Sequence, residues 1–155
     1  MSKPRLVEIA QMAEVVAAIA VVVSLVYVGR EVQANTNAIR GASLQALTSV
    51  QADLTMGIAT DSATARIRQV GGRDPSDLID AERFRFFFLM RQTWLNFQNA
   101  YLQNELGLLD QRFWADYDRS ICRIWSAQGV REAWAEQASL LDPGFVALVE
   151  ACSTG

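Results

Sequence analysis

Histidine is missing from all 155 positions of the chain, and with it go the commonest general base and the commonest metal ligand. Hydrolase triads and zinc sites lose their principal residue. Cysteine is nearly missing too. Cys122 and Cys152 stand far apart in the chain and form no C-x-x-C or other ligand spacing. Two such thiols make no metal centre. They read first as small buried hydrophobes on helix faces, with a Cys122–Cys152 disulfide as the alternative in an oxidising compartment. Three prolines exclude collagenous and low-complexity classes. Neither sign of charge dominates: fourteen Lys plus Arg against seventeen Asp plus Glu leave −3, which offers no field for a nucleic-acid backbone. Nucleotide-loop, nucleophile-elbow and dinucleotide glycine motifs are all missing, so no cofactor is expected. No segment alternates with period two between turns, which removes strands and leaves an all-α chain.

What is present is apolar: 51% of the residues, in a length that suits one domain. Residues 15–28 carry no charge, and tolerating Gln11 and Glu14 extends the run to residues 9–28. Twenty helical residues at roughly 1.5 Å each just cross a hydrocarbon core of about 30 Å. The run is apolar on every face and ends in Tyr27 and Arg30, as interfacial anchors do, so a transmembrane helix is favoured over a buried core helix. Lys3, Arg5 and the triplet Val32-Gln33-Ala34 suggest a signal peptide, but Arg30 and Glu31 stand between the apolar run and that site. An uncleaved signal anchor is expected. Charges on the two sides nearly balance, and the orientation leans to a cytoplasmic N-terminus.

The remaining pattern predicts five segments: a tail over 1–8, the span over 9–28, a helical extension over 29–70, a turn over 71–77 and a helical domain over 78–155. Twelve of the fourteen aromatic residues lie between Phe84 and Trp134. A central helix over about 78–106 places Phe87, Trp94, Phe97 and Tyr101 on one face, and Phe113 and Tyr117 line the next helix; these six form the expected core. Asp110 and Asp142 are expected N-caps, the second followed by Pro143. Gly129 is read as a helix end.

Chemistry is harder to find. Asp116 and Asp118 point to different helix faces, and Arg112 with Asp116 reads as an ordinary surface ion pair. No catalytic residue is expected, and the chain is not read as an enzyme. Arg83, Arg85 and Arg91 beside four phenylalanines suit stems packed over the core, or else an anionic lipid surface. A stripe advances by alternating threes and fours from Ala10 to Gly41, small at Ala13, Ala17, Ala20, Ser24, Ala34 and Ala38 and interrupted only by Tyr27 and Glu31, the pattern by which helices associate in lipid. Alanine is frequent enough to produce such a stripe by chance. Glu14 and Ser24 are candidates for a polar interface or lumen, although Glu8, Gln11 and Glu14 also suit the headgroup level.

Several pieces carry a resemblance: Ser24-Leu25-Val26-Tyr27, residues 31–36 (EVQANT), Gly107-Leu108-Leu109-Asp110 with Trp114, Gly129-Val130-Arg131 with Trp134, and Asp142-Pro143-Gly144-Phe145. In order and spacing they resemble a family of small proteobacterial single-pass membrane proteins without assigned activity, in which a second tryptophan often stands where this chain has Ala133. The resemblance implies the architecture and supplies no chemistry. The expectation is a membrane-anchored helical scaffold or accessory protein that self-associates, in contact with membrane lipid and fitted for a larger membrane complex. A homo-oligomeric pore lined by the N-terminal helix is the alternative.

Overall fold

The computed structural model describes residues 3–153, with side chains over 11–153. Met1 and Ser2 of the expected tail, and the side chains of Lys3, Arg5 and Glu8, lie outside the described residues. Those described are mostly helical, without a strand: an all-α fold of six helices. The first, α1, runs unbroken over Lys3–Thr60, so neither Gly29 nor the Asn35-Thr36-Asn37 stretch interrupts it. Hydroxyls within it bond back to carbonyls one turn earlier, as Thr36 does to Val32 at 2.9 Å, which spares the helix a competing turn.

The chain divides into two compact units, Met1–Gly41 and Ala42–Gly155. The first unit is the leading part of α1 by itself. Every described side chain in it except Thr36 is exposed.

The second unit begins on the end of α1, where Leu47 is fully buried and Val50, Leu54 and Ile58 follow half-buried at helical spacing. Asp61 then turns to extended backbone, and its carboxylate accepts from the amides of Ala63 and Thr64, starting α2 over Ser62–Arg73. Gly71 and Gly72 therefore belong to a helix, and the turn expected over 71–77 comes later, at Asp74 and the 3₁₀ turn Pro75–Asp77. The reason is packing. A Cβ on Gly71 would lie 2.6 Å from the Phe86 ring, so the glycine is there to let α3, Asp80–Glu105, come close. Gly107, just after α3, takes φ +67, a left-handed turn suited to glycine.

Asp110 caps α4, Gln111–Trp125, by accepting from the Arg112 amide at 2.9 Å. Asp142 caps α6, Pro143–Ala151, through the amides of Gly144 and Phe145. Between them α5 spans Gln128–Ala135, followed by a 3₁₀ turn at Ala138–Leu140. The helix end expected at Gly129 is corrected here: α4 stops at Trp125, and Gly129 lies inside α5. A Cβ on Gly129 would collide with the Gly71 carbonyl oxygen, so this glycine serves a helix crossing rather than a cap.

The core centres on Trp94, fully buried, with Trp134, Phe97, Trp125 and Phe145 ring centroids 4.8 to 6.4 Å away and mostly edge-on. Phe97 and Tyr117 are buried with it, while Tyr101 and Phe113 are half-buried against its margin. Phe87 is the exception among the six expected core residues. Phe86, about 100° round the helix from it, takes the core position because Gly71 opens a place for its ring, and Phe87 is left half-buried.

Candidate functional site

The first surface is the apolar helix of the leading unit. Val15, Ile19, Val22 and Val26 are each more than half exposed, and an 18-residue window within Gln11–Thr60 is long and apolar enough to cross a membrane. The interface residues expected from the stripe, Ala13, Ala17, Ala20, Ser24, Ala34 and Ala38, are all exposed on α1, as is Glu14. Within this unit no second helix covers either face.

The cysteines form the second feature. Cys122 on α4 and Cys152 after α6 are joined in a disulfide, with Cα atoms 5.2 Å apart, and no free cysteine remains. This replaces the reading of two buried hydrophobes: Cys122 is exposed and Cys152 half-buried. Side-by-side packing of α4 and α6 makes the pair. Residues thirty positions apart carry no local signal of that neighbourhood.

The third feature is a cleft of about 660 Å³ at the start of α3, lined by Phe84, Phe87 and Phe88, by Arg83, by Glu132 of α5 and by Glu136 just after that helix. That volume is of the size that holds small ligands or a partner's side chains. Phe84 and Phe88 stand one turn apart with centroids at 4.7 Å, and are 66% and 50% exposed, an open aromatic face rare on a solvated helix. Arg83 is used internally. Its Nε donates to the Pro75 carbonyl at 3.2 Å, Nη2 to the Leu78 carbonyl at 3.1 Å, and Nη1 faces Asp80 at 3.6 Å. It thereby closes the connection before α3, as a packed stem would, and its charge offsets that of Asp80. Glu132 and Glu136 keep the cleft acidic.

Arg66 of α2 pairs with Glu82 of α3, and the remaining ion pairs are local to α4 and its cap. Arg112 pairs with its neighbouring cap Asp110 at 3.1 Å, and Asp116 pairs with Arg119, so the expected Arg112–Asp116 pair does not form. The cap wins because Asp110 already faces the Arg112 amide. Beneath the surface, Asn96 donates to Gln51 at 3.0 Å, and burial pushes the neighbouring Tyr117 phenol above its ordinary range. Among the described residues no group of three His, Cys, Asp or Glu side chains could hold a metal ion.

Neither a family model, nor a curated protein, nor a solved structure matches this chain.

Proposed function

We propose that the chain is a single-pass membrane protein of the bacterial inner membrane, a helical scaffold or accessory subunit that self-associates and performs no catalysis. The observation that carries this reading is the leading part of α1, whose apolar side chains are exposed all round. Water would penalise each such valine or isoleucine by about 1.5–3 kcal/mol, whereas lipid welcomes them. With one candidate span among the described residues, the partner for the small-residue stripe in the bilayer is another molecule of the same kind. Kinship with small single-pass proteobacterial proteins is part of the proposal, on the strength of the motifs from Ser24 to Phe145 described above.

The disulfide supports an orientation. Disulfides persist in the periplasm and outside the cell and are rare in the cytosol, so the helical domain is assigned to the far side of the membrane and the N-terminus to the cytoplasm. The acidic aromatic cleft then faces the periplasm, where charge complementarity suits an apolar, basic segment of a partner subunit.

Alkaline carbonate extraction and crosslinking in native membranes test the proposal together. The protein is expected in the membrane pellet, crosslinked to itself, with Ala17→Leu and Ala20→Leu reducing the crosslinked species and Ile19→Leu leaving it unchanged. Release by carbonate removes the anchor. A monomeric wild type, or equal behaviour of all three variants, removes self-association.

A further inference from the structure

On another face of the second unit, a groove of about 320 Å³ lies between the ends of α2 and α4 and is lined by Arg68, Arg73 and Arg123 together with Gln69 and Ala127. Arg66, Arg83, Arg112 and Arg119 have carboxylate partners; these three, like several other arginines, form no ion pair among the described residues, and here three of them line one groove. Arg68 is the least comfortable. Its guanidinium is half-buried, and its one hydrogen-bond acceptor is the Met90 thioether sulfur, 2.8 Å from Nη1. A thioether is a weak acceptor, and arginine cannot shed its proton to escape desolvation.

We propose that this groove binds a phosphate group. The charge arithmetic selects it. Arg73 and Arg123 each stand in the last turn of their helices, where the carbonyl ends contribute roughly half a negative charge apiece. Those offset about one of the three positive charges. About two remain, which matches a phosphate monoester at roughly −1.5 to −2 and exceeds what one carboxylate supplies. Three guanidinium forks also suit a group with three acceptor oxygens. No carboxylate lines the groove to compete. Ala127, the N-cap of α5, lines the groove and makes no side-chain cap bond, so the positive end of that helix adjoins the same wall. The phosphate belongs either to a small soluble ester or to an acidic lipid headgroup, and the two sources share this chemistry.

The test uses the full chain in phosphatidylcholine nanodiscs. Inorganic phosphate is titrated calorimetrically against a chloride background, and in parallel arms the discs carry phosphatidate, with lipid retained per chain read by native mass spectrometry. Saturable one-to-one phosphate binding assigns a soluble ester. Retained phosphatidate without binding of free phosphate assigns a headgroup. In either arm the double variant Arg73→Gln/Arg123→Gln, both exposed positions, is expected to lose at least tenfold in affinity with its helicity unchanged, while Arg112→Gln, outside the groove, keeps wild-type binding. Neither ligand binding, or the double variant binding like wild type, overturns the proposal.

Discussion

Phe86 and Phe87 differ by one position and by most of their energetic weight. Phe86→Ala removes a fully buried ring and is expected to cost about 3–5 kcal/mol, read from urea unfolding of the full chain in mild detergent. Phe87→Ala, half-buried at the cleft, is expected to cost clearly less; equal losses would mean that the Gly71 notch does not choose between the two rings. The notch has its own test. Gly71→Ala puts a methyl 2.6 Å from the Phe86 ring and 2.9 Å from Leu78, an overpacking expected to cost about 1–3 kcal/mol in spite of alanine's better helix propensity. Titratable residues bear on stability as well. The Thr64 hydroxyl bonded to Asp61, the Ser76 contacts to Asp74, the Arg66 bond to Glu82 and the Arg112 bond to Asp110 hold these four carboxylates below their ordinary range. Their folded values are depressed. The stability they confer is therefore complete above the ordinary range and is lost as pH falls through the depressed values. The urea midpoint should be flat near neutrality and decline below about pH 4, less steeply in Asp61→Asn. Tyr117 acts at the other end: its neutral form is favoured by burial, so stability should fall as pH rises past about 10.

At the scale of elements, the disulfide binds α4 to the end of α6 across thirty residues. Loop entropy alone assigns such a link about 3–4 kcal/mol, because it restricts the unfolded chain rather than adding a contact. A Cys122→Ser/Cys152→Ser variant is expected to unfold at lower urea by that amount while keeping its helical circular dichroism; no loss would place the stability of this corner in the Trp125 and Trp134 packing instead. The capped helices are pinned by their own side chains. The helix crossing of α2 and α5, by contrast, depends on two glycines that meet, and no cap or propensity would compensate for a side chain there.

At the scale of the whole molecule, a helix apolar enough to cross a membrane leads a domain that carries a disulfide. Non-reducing electrophoresis of protein trapped in acid from intact cells should show Cys122 and Cys152 fully oxidised, and a membrane-impermeant thiol reagent should label them after reduction without lysis. Free thiols in the native chain would return the domain to the cytoplasm and reverse the proposed orientation, without touching the membrane anchor. Core packing also sets where the domain begins. Leu47 and Ile67 are buried in the same core as Trp94, so the folded part starts near residue 42 rather than at 78, where the aromatic residues first become dense.

The all-α class, the apolar helix, the caps at Asp110 and Asp142 and most of the central helix were legible in the sequence because each is local. A period of 3.6, a carboxylate facing amides two and three residues on, and an uncharged run all act within a few turns of chain. Partnerships across the fold left no such trace. The sequence pattern placed Phe87 in the core, read Gly71 as a turn and Gly129 as a helix end, and favoured free, buried cysteines over a paired set. Each outcome depends on which helix lies opposite: Gly71 admits Phe86 and meets Gly129, and α4 beside α6 brings two sulfurs together. The groove's three arginines were silent for the same reason. Arg68, Arg73 and Arg123 share no helical spacing, and only the packing of α2 against its neighbours gathers their charges around one groove.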